Sequence, residues 1–180
     1  MKQTALLIID IINDFQFKHG SILAEKTSRI VPNIKAIKEY MHKEELPVIY
    51  INDHYNLWQA DYDKIIDKCS NKWSEPIMQA LYPSGDDFFL IKPKHSAFFG
   101  TALHTLLSQL HIKKLILTGL AGNICVLFTA NDAYMREFEL IIPSDAIACA
   151  DEDDHTYALR MMENVLKADV SPTTKFLNQQ

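Results

Sequence analysis

Gly119-Leu120-Ala121-Gly122-Asn123-Ile124-Cys125-Val126 follows the apolar run Lys114-Leu115-Ile116-Leu117-Thr118 and leads into a helix-period pattern beginning near Val126. A short apolar run reads as a buried strand, and a glycine-punctuated turn that opens onto a helix is the repeating unit of an α/β domain. The stretch also delivers a cysteine just past the carboxyl end of that strand, at or near a helix amino terminus. Unpaired backbone N–H groups and the helix dipole at such a place favour thiolate over thiol, which makes Cys125 a candidate nucleophile.

The same rhythm extends in both directions. Apolar runs occur at 4–9, 47–51, 88–91, 114–118 and 139–142, with a weaker one at 168–170. Continuous apolar character predicts strands buried on both faces, as in a parallel sheet. Helix-period segments lie between them at about 30–44, 101–110, 125–136 and 153–166. In the first, Ile30, Ile34, Ile37, Tyr40 and Met41 recur at spacings that place them on one helix face. Alternation of this kind predicts an α/β fold: one domain over 1–180, a three-layer α/β/α sandwich around a central, mostly parallel six-stranded sheet with right-handed crossovers. Ligands of such sheets bind beyond the carboxyl ends of the strands, so the residues just after each apolar run come first in a search for chemistry. One stretch breaks the rhythm. Residues 52–84 are polar and aromatic, and a segment of that length between strands is expected to be a partly helical binding insertion or lid.

Bulk properties narrow the partners. The chain has 180 residues, 48% hydrophobic and 23% charged, which is enough to bury a continuous core and argues against disorder. A formal charge of −5 leaves no basic footprint for nucleic acid or an anionic membrane surface, and the expected partner is a small molecule. No apolar run approaches the roughly 20 residues that span a bilayer. The opening residues read as a buried first strand rather than a signal peptide, because the apolar run meets Asp10 at once and lacks a small-residue cleavage site. The three cysteines Cys69, Cys125 and Cys149 show no paired spacing, which argues against a disulfide framework or zinc ribbon and fits a reducing cytoplasm.

Three strand-end residues carry reactive groups. Asp10 closes the first run, Lys92 follows the third and Cys125 follows the fourth. A carboxylate can take a thiol proton, and an ammonium can hold both anions together. Against this, Asp10 alone would serve as a turn cap, Lys92 as a solvated lysine and Cys125 as an inert core thiol. Cys69 and Cys149 read as structural, Asp14 as a loop-fixing carboxylate, His54 and His95 as loop or surface histidines with a direct acid–base role as the alternative, and the acidic run 151–154 as a helix start. Phe15, Trp58 and Trp73 are aromatic candidates for a substrate-pocket wall, with ordinary packing as the alternative.

Three separate motifs carry a resemblance to a known family. Ala5-Leu6-Leu7-Ile8-Ile9-Asp10-Ile11-Ile12-Asn13-Asp14-Phe15, then Ile91-Lys92-Pro93-Lys94-His95-Ser96-Ala97-Phe98-Phe99-Gly100-Thr101, then the run Thr118 to Ala130 around Cys125, resemble the isochorismatase-like cysteine hydrolases. Asp132-Ala133-Tyr134 and Pro143-Ser144-Asp145-Ala146 continue the likeness, which covers nearly the whole chain. The family includes nicotinamidases, carbamoyl-amide and ureido-compound hydrolases and isochorismate hydrolases. The resemblance implies Asp10 as general base, Lys92 as the cationic member and Cys125 as nucleophile. It further implies an amide-type C–N bond of a small metabolite cleaved through a thioester, with the aspartate moving protons in both halves. Backbone N–H groups of Ala121 and Cys125 would form the oxyanion hole, and the peptide between Leu120 and Ala121 would be cis. Homodimers or homotetramers are the expected assembly.

Departures from the family pattern bear on substrate and metal. Ile12 stands where members often have Gln, and Gly122 where many have Thr. Nicotinamidases hold a divalent metal with an Asp-x-His motif after the second strand. The corresponding stretch here is Asn52-Asp53-His54-Tyr55, with Tyr55 where the first histidine would fall, so no catalytic metal and no cofactor are expected. Isochorismate hydrolases break a vinyl ether without depending on the cysteine. The presence of Cys125 favours C–N bonds, leaving vinyl-ether hydrolysis or a catalytically idle small-molecule binder as the alternatives.

Overall fold

Thr4–Ile9 is apolar or β-branched at every position, and all of it is buried as β1, the central strand of the sheet. The computed structural model describes residues 3–178, so residues 1–2 and 179–180 of the domain expected over 1–180 lie outside it. After β1 come α1 (Gly20–Lys43), β2 (Val48–Asp53), α2 (Tyr62–Cys69), α3 (Glu75–Ala80), β3 (Phe88–Lys92) and α4 (Leu103–Gln109). Then follow β4 (Lys114–Leu120), a π-helical turn (Gly122–Val126), α5 (Leu127–Tyr134), β5 (Glu139–Ile141), β6 (Ile147–Ala148), α6 (Glu152–Asn164) and α7 (Thr173–Asn178). The strand order is β3-β2-β1-β4-β5, and β6 pairs with the far end of β4. All these pairings are parallel.

Alternation along each strand divides the core into two faces. Leu6 and Ile8 of β1 join Tyr50 and Ile116 under Ile30, Ile34, Ile37 and Met41 of α1. Ala5, Leu7 and Ile9 face the other way, toward Leu103 and Leu107 of α4, Ala130 of α5, and Ala158 and Met162 of α6. This is the expected three-layer sandwich around a six-stranded parallel sheet.

Two boundaries differ from the sequence reading. The sixth strand is Ile147–Ala148 rather than 168–170, where only Asp169 forms an isolated bridge to Ile141. Pro172 follows closely and cannot donate to a ladder, whereas a strand of only two residues, Ile147 and Ala148, leaves no periodic signal. Helix α1 begins at Gly20, well before the expected 30, because Leu23, Ala24 and Thr27 continue the buried face of Ile30 and Ile34 backward. The interior Pro32 interrupts the helix signal in sequence without ending the helix.

A buried charge cluster ties α1 to the start of β3. The Lys38 ammonium donates to Tyr50 Oη at 2.9 Å and to the Tyr82 carbonyl at 2.7 Å, and it pairs with Asp87 at 2.9 Å. Asp87, whose side chain is only 1% exposed, also meets His42 at 2.7 Å. Burial alone would raise the Asp87 carboxyl, but bonds from Lys38, the Ser84 N–H and His42 outweigh it and hold the group below the usual carboxylate range. A depressed folded-state pKa stabilises the fold above the unfolded value, and that stability is lost as pH falls through the folded value. Asp87→Asn should therefore cost about 3 kcal/mol at neutral pH and flatten the acid limb of the stability curve, measured by urea unfolding between neutral pH and pH ~3.

The end of β4 is a second constrained point. Gly119 has φ +105°, and a Cβ there would lie 2.1 Å from the Ile9 carbonyl oxygen on β1. Only glycine lets β4 press against β1 where the chain turns into the π-helical segment. Gly119→Ala is expected to lower unfolding free energy by at least ~2 kcal/mol, again read by urea titration.

Candidate active site

The strand order reverses at β1 and β4, so the crevice between their carboxyl ends is the switch point of the sheet. Asp10 is the first residue beyond β1 and is buried. Its N–H donates to the Ile51 carbonyl at 3.0 Å, and its Oδ1 accepts from the Asp53 N–H at 2.8 Å. Lys92 ends β3, where it pairs with Asp53 in register, and its ammonium lies 2.8 Å from Asp10 Oδ2. The same ammonium donates to the Lys94 carbonyl at 3.1 Å and lies 3.4 Å from Cys125 Sγ. The three strand-end residues therefore meet, with Lys92 between the carboxylate and the sulfur.

Burial sets the protonation chemistry. It pushes the Asp10 carboxyl up, against the pull of Lys92 and a bond to Cys125. Burial, reinforced by the neighbouring Asp10 charge, raises the Cys125 thiol to about 12 despite the opposing Lys92. For Lys92, burial acts against the ammonium, but the charges of Asp10 and Cys125 outweigh it and raise the group. A helix amino terminus was expected to favour the thiolate. Desolvation beside a carboxylate reverses that preference and favours the thiol.

The loop around Cys125 is held from below. Ala121 is extended (φ −78°, ψ 141°), and the π-helical turn follows it, with the Ile124 and Val126 N–H groups donating to its carbonyl at 3.0 and 3.2 Å. No peptide bond among the described residues is cis, so the bond expected between Leu120 and Ala121 is trans. The reversal is made instead by Gly119 and the π turn. Gly122 also has a local reason to lack a side chain, since a Cβ there would lie 2.8 Å from the sulfur of buried Cys149. The threonine common in the family would collide with that thiol.

Supporting residues emerge that sequence alone did not single out. Asn52, 2% exposed, clamps the loop after Asp10 by accepting from the Ile12 N–H at 3.1 Å and donating to the Ile12 carbonyl at 2.9 Å. His95, read as a loop histidine, places Nδ1 3.9 Å from Cys125 Sγ.

A cleft of about 740 Å³ opens over these groups, walled by Asn13, Phe17, His19, Ile22, Asn123 and Ile124. A depression of similar size, about 770 Å³, lies near Lys114 and Leu140 at the opposite, amino-terminal side of the sheet, and has no nucleophile in its lining. The aromatic wall differs from expectation. Phe15 is buried in the core, and neither it nor Trp58 or Trp73, 66% and 44% exposed, lines the cleft. Phe17, 50% exposed, does line it, while the insertion 52–84 packs with α1 and leaves both tryptophans on the surface.

The residues that would hold a nicotinamidase-type metal do not fit one. Asp53 Oδ1 accepts from the Tyr55 N–H at 2.8 Å, and His54 Nδ1 accepts from the Asn56 N–H at 3.0 Å. The His54 ring also stacks on Trp58, with centroids 3.9 Å apart. Among the described residues no three His, Cys, Asp or Glu side chains converge as a ligand set. No described helix is long and apolar enough to cross a membrane.

Known proteins share this arrangement of elements. Residues 4–174 match the Isochorismatase domain family. The uncharacterized isochorismatase family protein YaaI of Bacillus subtilis (strain 168) is 54% identical over 175 residues, 97% of each chain. An isochorismatase-like hydrolase from Alkaliphilus metalliredigens superposes with TM-score 0.80 over 98% of both chains at 26% identity. The nicotinamidase PncA from Bacillus subtilis superposes with TM-score 0.73 at 26% identity, covering 94% of this chain and 99% of its own. With the match running from β1 to the start of α7, the protein is a hydrolase belonging to the isochorismatase family.

Proposed function

We propose that the protein hydrolyses an amide-type C–N bond of a small molecule through a thioester on Cys125. The observation that carries this proposal is the Lys92 ammonium, which lies 2.8 Å from Asp10 Oδ2 and 3.4 Å from Cys125 Sγ. Asp10, made more basic by burial, takes the thiol proton as sulfur attacks the carbonyl carbon. Lys92 stabilises the negative charge while it is shared between the two groups. N–H groups of Ala121 and Cys125 are the proposed donors to the oxyanion; both residues line the cleft. The proton held by Asp10 passes to the leaving nitrogen, the C–N bond breaks, and water then hydrolyses the thioester.

Cleft electrostatics favour this chemistry over isochorismate-type ether hydrolysis. The lining includes Asp151 and Asp154 and no lysine or arginine, so a dicarboxylate substrate would meet repulsion without a cationic anchor. A neutral or cationic amide would not. An idle binding protein would not need a buried Asp–Lys–Cys set, which leaves catalysis the better account. We also propose a cytoplasmic homodimer or homotetramer, on the strength of the resemblance and the unpaired cysteines.

Activity and labelling test the mechanism together. A panel of neutral amides, ureido compounds and isochorismate, with ammonia and pyruvate as readouts, should give ammonia. Cys125→Ala and Asp10→Asn should each reduce that turnover by at least ~10³-fold. Pyruvate release that survives Cys125→Ala would replace the amidase with an ether hydrolase. Iodoacetamide should label Cys125 ahead of buried Cys69 and Cys149, with a rate that keeps climbing from pH 7 to beyond ~9 because the thiol is raised to about 12. Asp10→Asn removes a charge that raises the thiol, so its labelling profile should move to lower pH even as turnover collapses. A wild-type profile already flat at neutral pH would refute the proton transfer to Asp10.

A further inference from the structure

We infer that His95 is a fourth catalytic group, the base that activates water to hydrolyse the thioester; this rests on the Cys125 nucleophile proposed above. Its Nδ1 lies 3.9 Å from Cys125 Sγ on the open side of the cleft. That distance is long for a bond to the thiol, but it leaves room for one water between the imidazole and a carbonyl carbon attached to sulfur. Asp10 is less suited to that second step. Both groups line the cleft, but Asp10 is only 7% exposed and serves the first proton transfer, whereas the His95 side is open to solvent.

The imidazole is also held in place. The turn that carries it is pinned to α5, the helix that continues from the nucleophile loop. The Ala97 N–H donates to Thr129 Oγ1 at 3.0 Å, Ser96 Oγ donates to the Asp132 carboxylate, and the Phe98 N–H donates to Ser96 Oγ at 3.2 Å. Phe128 of the same helix lies against the His95 ring, with centroids 5.6 Å apart. Base and nucleophile thus share one support, as preorganised catalysis requires. Cys125 is the titratable group nearest the imidazole, and Asp10, His19, Asp151 and Asp154 line the same cleft.

The step balances without a co-reactant. Water gives a proton to the free imidazole nitrogen as its oxygen bonds to the thioester carbonyl carbon. The tetrahedral intermediate collapses, the C–S bond breaks and the electron pair returns to sulfur. The imidazolium proton then passes to the thiolate, restoring the thiol, and the carboxylic acid leaves.

p-Nitrophenyl acetate separates the two halves, because release of nitrophenolate reports acylation of Cys125 and the later steady rate reports thioester hydrolysis. His95→Gln, with His95→Asn as a second variant, should keep the burst within ~3-fold of wild type and slow the steady rate by ~10²-fold. Acetylated Cys125 should accumulate by intact mass, and imidazole added to His95→Ala should restore hydrolysis. Equal slowing of burst and steady rate would reduce His95 to a packing residue, and an unchanged steady rate would remove it from the mechanism while leaving the thioester intact. If wild-type Cys125 takes no acetyl group, the thioester and the role of His95 fall together.

Discussion

The Lys92 ammonium is only 2% exposed, and a charge at that depth is tolerable only when it is paired and hydrogen-bonded. Asp10, the Lys94 carbonyl and Cys125 supply those partners. They do so because three strands end at one level. Ile9 pairs with Ile51 across β1 and β2 and with Gly119 across β1 and β4, while Asp53 pairs with Lys92 across β2 and β3. A slip of one residue in any of these registers would turn the strand-end side chain to the opposite face of the sheet and leave the ammonium unpaired. The apolar packing of β1 on both faces therefore enforces the geometry of the site as well as the stability of the core.

The same burial that makes the ion pair strong makes the thiol reluctant to ionise. Cys125 sits in the π-helical turn ahead of α5, yet desolvation and the Asp10 carboxylate together outweigh Lys92. A site built this way favours a protonated sulfur at rest, beside a carboxyl that burial also raises. The charges are fixed before any substrate arrives, so little reorganisation is left for the reaction itself.

Support for the reacting groups comes from unobtrusive side chains. Asn52 fixes the loop beyond Asp10, and Thr129 and Asp132 fix the turn beyond Lys92. Gly122 and Cys149 form a matched pair in which the missing side chain of one makes room for the sulfur of the other. This accounts for the glycine at a position where many family members have threonine. Cys149 is buried, with its sulfur against Gly122 in the loop that carries Cys125.

The amino-acid sequence by itself determined the order of the elements, the parallel sheet and the placement of Asp10, Lys92 and Cys125 at strand ends. These follow from local signals: apolar runs, helical periodicity, and the polar residue or glycine at which each run stops. Strand β6 and the first turns of α1 escaped because two residues carry no period and the buried face before Ile30 includes the small Ala24 and the polar Thr27. Only the tertiary structure decided which aromatic ring faces the cleft, that the Cys125 thiol is raised rather than lowered, that Gly122 must be bare, and that His95 reaches the sulfur. Each of these depends on what lies within a few ångströms after strands distant in sequence have been set side by side. Desolvation, steric fit and hydrogen bonding act over that distance, and nothing in the local order of residues encodes them.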